Sequence, residues 1–274
     1  MNNDIQDEKS PIGKVRVIFL GGRELGCRIL EWMIIDPRFK VVGVVASPCS
    51  ELTILKGLIK KYSLQEVYEL EDLKNIEFDI GISINYHKIL CKTILQLAPL
   101  GFWNIHHSYN MRLRGRNITT HAILLSKANK LYYHGTSLHK MIEDLDAGPI
   151  VASYSTPILP EDTAYSLFSR VNDLAFDLFT DWIPRIAYEK IYPYESPVEG
   201  IMMFKNKDLP SKEISTMSSN DEIFDKIRAF DFPGQDPAFV WCNGKKINLV
   251  VNKRDEFIFP VNIFGKVVFS DKSI

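Results

Sequence analysis

An amide, an imidazole and a carboxylate sit where proton transfer could use them: Asn104 and His106 stand two residues apart, and Asp146 lies in the acidic stretch Glu143-Asp144-Leu145-Asp146-Ala147-Gly148-Pro149. Five of the six histidines (His106, His107, His121, His134 and His139) fall in the same region of the chain. A histidine near its ordinary pKa takes a proton at neutral pH, a carboxylate orients it, and an amide N–H stabilises an oxyanion. Between these groups lie the glycine-hinged loop Arg112-Leu113-Arg114-Gly115-Arg116-Asn117 and the hydroxyl-rich segment His134-Gly135-Thr136-Ser137-Leu138-His139.

Two other uses compete for the histidines. A metal site would draw on His106, His107, His134 or His139 with Asp146, but H-E-x-x-H and the other common zinc spacings are absent. A purely structural use suits one histidine at a strand end better than five beside an Asn and an Asp. Metal-free acid/base catalysis accounts best for the set. Cys27, Cys49, Cys91 and Cys242 are far apart, with neither a C-x-x-C pair nor a disulfide framework.

The elements that must position these groups follow from hydrophobic patterning. Val15 to Leu20, Val41 to Ala46 and Ile80 to Ile84 are nearly continuous apolar runs, alternating with helical spacing over Glu24 to Ile35, Leu52 to Tyr62 and Ile89 to Leu97. Such strands predict a parallel sheet covered on both faces. Gly101 to Ile105, His134 to Ile142 and Ile150 to Tyr154 read as further strands, Ile118 to Ala128 as a helix, and Pro160-Glu161-Asp162-Thr163 as the start of a long helix to Ile186. Asn104 and His106 then project on one side at the C-terminal edge of their strand, where open α/β sheets bind ligands.

The expected fold is α/β: a Rossmann-like, mostly parallel sheet with helices on both faces, plus a small β-rich C-terminal subdomain. Residues 1–187 form the catalytic domain, 188–220 an irregular connecting segment, and 221–274 the subdomain, with a helix over Asp221 to Phe230 and turns at Asn243-Gly244 and Phe264-Gly265. The glycine turn Gly21-Gly22-Arg23-Glu24-Leu25-Gly26 has Arg23 where a dinucleotide fingerprint needs glycine, and no acid closes the second strand, so NAD is not expected.

Bulk numbers narrow the partners. Of 274 residues, 33 are basic and 34 acidic, a net charge of −1 that denies the chain the broad positive field of a nucleic-acid or anionic-membrane binder. The polar start MNNDIQDEKS and the lack of a spanning apolar run predict a soluble, cytoplasmic protein.

The order N-I-H, a loop ending R-x-R-G, H-G-T-S-x-H and L-D-x-G-P resembles the folate-dependent formyltransferase family, over roughly Val15 to Ile186 and most densely from Phe102 to Val151. The resemblance implies Asn104, His106 and Asp146 as catalytic triad, with Ser137 and His139 beside the substrate. It implies N10-formyltetrahydrofolate as donor, held by Asn85, Tyr86, His87, Lys88, Ile89 and Leu90 with Asp144, and no metal. Where many relatives carry Pro-Ser-Leu-Leu-Pro after the histidine, this chain has His107-Ser108-Tyr109-Asn110-Met111, which implies a differently shaped loop.

Methionyl-tRNA as acceptor fits poorly with the neutral charge and the short C-terminal part. The length beyond Ile186 and the stretch Ile227-Arg228-Ala229-Phe230-Asp231-Phe232-Pro233-Gly234 look like the nucleotide-sugar N-formyltransferases. The expected acceptor is dTDP-4-amino-4,6-dideoxyglucose, with a UDP-aminosugar as alternative, feeding bacterial O-antigen. Arg112 and Arg114 are candidates for its diphosphate, and Tyr154 and Phe232 for stacking on its base. A homodimer through the C-terminal part is the family-based expectation. A non-catalytic folate-binding protein is the alternative from another class, and the intact triad argues against it.

Overall fold

The computed structural model describes residues 13–47, 52–126, 131–215 and 219–251. β1 (Val15–Gly21) is buried almost throughout, as a central strand with covered faces must be. Its side chains alternate, Val17 and Phe19 entering one apolar cluster with Ile29, Leu30 and Phe179, and Ile18 and Leu20 entering another with Leu73, Leu90 and Phe102. α1 (Arg23–Ile35), β2 (Phe39–Ala46), α2 (Leu52–Lys61) and β3 (Ile80–Ile84) follow in alternation.

After β3 the chain makes a loop, a single helical turn α3 (Lys92–Leu95), and β4 (Phe102–His106). The helix expected over Ile89 to Leu97 is thus cut to one turn. Cys91 is extended, with φ −74° and ψ 162°, and restarts the helix, so Leu90 and Ile94 reach the core while Ile89 stays exposed. β5 (Leu113–Gly115), α4 (Ile118–Leu125), β6 (Tyr133–Lys140), β7 (Ile150–Pro157) and α5 (Ala164–Tyr188) come next.

The main sheet has the order β2-β1-β3-β4-β6-β7. β2, β1, β3 and β4 are mutually parallel, whereas β6 runs antiparallel to β4 and β7 antiparallel to β6. The register sets Asn104 opposite His139 and His106 opposite Ser137, which brings two motifs thirty-odd positions apart onto one edge. α5 starts at a capping box in which Thr163 accepts from the Ser166 N–H and Ser166 Oγ accepts from the Thr163 N–H. Beside it the Arg170 guanidinium grips the buried Asp162 carboxylate with both forks, at 2.9 and 2.6 Å.

The connecting segment is more ordered than its composition suggests. β8 (Met202–Phe204) pairs in parallel with β5, and the Tyr194 and Ile150 backbones exchange hydrogen bonds of 2.7 and 2.8 Å. α6 (Asn220–Ala229) then docks through Arg228, whose guanidinium donates to Asp225 and to the carbonyls of Leu159 and Asp162. β9 (Ala238–Cys242) and β10 (Lys245–Leu249) form a hairpin whose Asn243 and Gly244 both take positive φ, 50° and 73°, as a tight two-residue turn requires. The expected Phe264-Gly265 turn lies outside the described residues, as do Cys49 and the last residues of the helix expected to end at Ala128. Among the described residues no helix is long and apolar enough to cross a membrane.

Candidate active site

β4 delivers Asn104 and His106 to the sheet edge from alternate positions, both half-buried beneath the loops that follow β3, β4 and β6. The turn after β6 supplies Asp146, with φ 52°, a left-handed conformation that an Asp tolerates better than most residues. The turn can close because position 148 is glycine: a Cβ there would stand 1.7 Å from the Lys140 carbonyl oxygen. Asp146 Oδ2 lies 3.7 Å from His106 Nδ1 and accepts the Gly115 N–H at 3.1 Å.

The other ring nitrogen, His106 Nε2, lies 2.9 Å from the Leu113 carbonyl oxygen. A carbonyl only accepts, so in the neutral ring Nε2 carries the proton and Nδ1 is the basic nitrogen. His106 is therefore held by a hydrogen bond to Leu113, with Asp146 just beyond hydrogen-bond distance on its other side. The Asp146 carboxylate stands 3.7 Å from Nδ1, on the side of the ring away from Leu113.

Asn104 is oriented by His139. Its Nδ2 donates to His139 Nε2 at 3.0 Å, while His139 Nδ1 donates to the Lys140 carbonyl at 3.2 Å. Burial, reinforced by the nearby His106, pushes His139 down to about 4, so it is a neutral acceptor at pH 7. One amide N–H of Asn104 is thereby tied and the other is left for a developing oxyanion.

The remaining histidines support the site. Burial pushes His107 and His134 down to about 3; His107 packs on the Phe168 ring, and His134 bonds the Thr119 hydroxyl at 3.3 Å. His121 stacks on Phe204 with ring centroids 3.8 Å apart.

Ser137, a candidate for touching substrate, is fully buried, its hydroxyl bonding the Ser108 carbonyl at 2.6 Å and the Ser153 hydroxyl at 2.7 Å. It anchors the loop after β4. Tyr154 and Phe232 both have partners within the fold. Tyr154 donates to Asp181 on α5, and Phe232 packs edge-on against Tyr165 and Phe168, each ring staying partly exposed. Arg112 and Arg114 flank Leu113, half-buried, and among the described residues neither guanidinium has a hydrogen-bond or ion-pair partner; the Nε atoms of both are buried and unsatisfied.

The loop Asn85 to Leu90 leaves the C-terminal end of β3, whose Ser83 pairs in register with Asn104. Asn85 has φ 56°, Tyr86 rests against the second apolar cluster, and His87 Nδ1 bonds Ser47 Oγ at 2.8 Å, so the loop is pinned between the ends of β2 and β3. Lys88 and Ile89 are exposed, Leu90 is buried, and Asp144 is exposed in the loop after β6. The backbone groups of Leu113 and Gly115 carry no side-chain signal, so nothing in the sequence points to their part in the site.

An imidazole, an amide and a carboxylate stand together at the C-terminal edge of a covered α/β sheet, the groups that acyl transfer by acid/base chemistry uses. Residues 45–183, about half the chain, match the family described as formyl transferase, and the chain belongs to that family. It is a formyltransferase.

The chain is 28% identical over 278 residues to a methionyl-tRNA formyltransferase of Dictyoglomus thermophilum, covering 94% of this chain and 86% of that one. It is similar in structure to a 4-N formyltransferase from Francisella tularensis, with TM-score 0.72, 18% identity and coverage of 87% and 98% of the two chains. An N-formyltransferase from Helicobacter canadensis, crystallised with folinic acid and dTDP-3-aminofucose, aligns with TM-score 0.69 and 22% identity over 85% of this chain and 86% of that one.

Proposed function

We propose that this enzyme moves a formyl group from N10-formyltetrahydrofolate to the amine of a nucleotide-linked aminosugar. The observation that carries the reading is the pair of half-buried, unpartnered guanidiniums of Arg112 and Arg114 beside the triad. An uncompensated half-buried charge is costly, and a diphosphate is its natural complement. The Helicobacter relative, which holds a dTDP-sugar and a folate together, supports the same pairing. The best candidate acceptor is dTDP-4-amino-4,6-dideoxyglucose, with UDP-aminosugars next, and the product suits a cytoplasmic step of O-antigen assembly by a homodimer.

The residues divide the chemistry between them. The folate supplies an activated formyl carbon, and the pinned loop from Asn85 to Leu90, with Asp144, offers exposed backbone groups and a carboxylate to a donor-and-acceptor-rich ring. As the acceptor amine attacks, its proton passes to His106 Nδ1, and the imidazolium is stabilised by Asp146. The free N–H of Asn104 and the protonated His106 face the oxygen that becomes negative. His106 then returns the proton to the departing nitrogen, and the C–N bond to the donor breaks. No metal takes part in this sequence.

The second reading, methionyl-tRNA as acceptor, is favoured by the identity to the Dictyoglomus enzyme. Against it stands the net charge of −1, since gripping RNA phosphates needs a positive surface. Tetrahydrofolate release measured with dTDP- and UDP-aminosugars, with charged initiator tRNA and with no acceptor decides the matter. Turnover with a nucleotide-aminosugar well above the no-acceptor rate is expected; turnover with the tRNA alone rejects the proposal, and release without any acceptor identifies a hydrolase.

A further inference from the structure

A pocket of about 190 Å³ adjoins the loop that follows His106, lined by Ser108, Tyr109, Arg112, Leu113, Tyr132 and Tyr133 among others. Its wall is shared with the catalytic base. The Leu113 carbonyl accepts from His106 Nε2, and the Leu113 N–H donates to Ser108 Oγ at 2.8 Å, so whatever fills the pocket is one residue from the imidazole. Tyr109, Tyr132 and Tyr133 are 39%, 63% and 55% exposed, three large aromatic residues left in contact with water around one opening. Arg112 adds a positive charge with no partner among the described residues, its Nε buried and unsatisfied.

We propose that this pocket receives the nucleotide end of the acceptor, its planar base stacking on the tyrosines and its adjacent phosphate meeting Arg112. The assignment rests on the nucleotide-sugar reading above and replaces Tyr154 and Phe232 as the base-binding aromatics. The volume is below the roughly 300 Å³ at which pockets begin to hold whole drug-sized ligands, so it suits one ring and leaves the sugar outside, toward Arg114 and His106. Rings offer a sequence-tolerant π face, and a guanidinium matches phosphate geometry with two parallel donors.

The test is calorimetric binding of dTDP, UDP and thymidine to the full chain, with KM and kcat for the accepted aminosugar measured alongside. Tyr109→Ala and Tyr133→Ala should weaken both dTDP and thymidine by roughly tenfold, as loss of a stacking ring does. Arg112→Met should weaken dTDP by a similar factor and leave thymidine alone. Tyr109→Phe keeps a ring and should retain most of the affinity, which separates stacking from misfolding. In each weakened variant KM for the aminosugar rises while KM for the folate donor holds. If the wild type binds dTDP and formylates a nucleotide-aminosugar but the three disruptive variants bind as tightly as it does, the pocket assignment is wrong and the functional reading stands. If the wild type binds no nucleoside diphosphate and accepts no nucleotide-aminosugar, both fall together.

Discussion

His106 Nε2 and the carbonyl oxygen of Leu113 lie 2.9 Å apart, and this contact fixes the tautomer of the neutral imidazole. It protonates Nε2 and leaves Nδ1 as the base, 3.7 Å from Asp146. Leu113 in turn belongs to β5, which is clamped by β8 from the connecting segment.

His106→Ala and Asn104→Ala should each lower kcat by at least a hundredfold while leaving the thermal midpoint within a few degrees, because both side chains sit at an edge and not in the apolar clusters. Single-turnover assays and thermal melts check both halves. Near wild-type turnover in either variant would sink the assigned roles.

His139 is a positioning residue for Asn104. His139→Leu removes the acceptor of the amide and should lower kcat roughly tenfold with KM little changed, since the lost bond orients the group proposed to meet the oxyanion and does not touch bound substrate. A variant with lowered affinity and full kcat contradicts this.

The connecting segment, through β8, acts on the site by way of Gly115 of β5, which has φ 93° and whose N–H holds Asp146. In Gly115→Ala the new Cβ would meet the Phe204 carbonyl oxygen at 2.1 Å and the residue would be strained, so β5 must shift away from β8. The expected result is a tenfold or greater loss of kcat, with a changed pH–rate profile because the carboxylate beside His106 loses a donor. A profile superimposable on the wild type refutes the coupling.

Acid should destabilise the fold earlier than carboxylate titration alone would. His107 and His134 are held down to about 3 and His139 to about 4, against about 6.5 in an unfolded chain, so below pH 6.5 protons bind the unfolded state preferentially. Their contribution is complete above pH 6.5 and is lost as the pH falls toward 4, at up to ~1.4 kcal/mol per pH unit for each histidine. Urea midpoints at pH 7, 6 and 5 should fall steadily, and His134→Gln should flatten the slope.

Arg170 neutralises Asp162, whose side chain is only 3% exposed. Burial works to raise that carboxyl, but the bonds from Arg170 outweigh it and leave the group below its ordinary value. Its contribution is therefore present above pH 4 and lost as the pH falls further. Arg170→Met strands a buried carboxylate and should cost about 3 kcal/mol at pH 7, less at pH 3, readable from paired urea titrations.

Much of this protein was legible from residue order. The continuous apolar strands with Gly21-Gly22 between strand and helix dictated the covered parallel sheet, because only strands buried on both faces lack alternation. The alternation of β4 placed Asn104 and His106 on one side, and Leu-Asp-x-Gly-Pro marked the turn that carries Asp146. What sequence could not convey lies in backbone groups and long-range pairing. The Leu113 carbonyl and the Gly115 N–H are identical in every non-proline residue. The β5–β8 ladder joins two three-residue segments too short to show a period, and the packing of Phe232 against Tyr165 and Phe168 joins residues more than sixty positions apart. Residue types and spacing thus determined the reaction's chemical groups, while only the tertiary structure decided which nitrogen is basic, which histidines are neutral and which arginines lack a partner, because those depend on what the folded chain brings within a few ångströms.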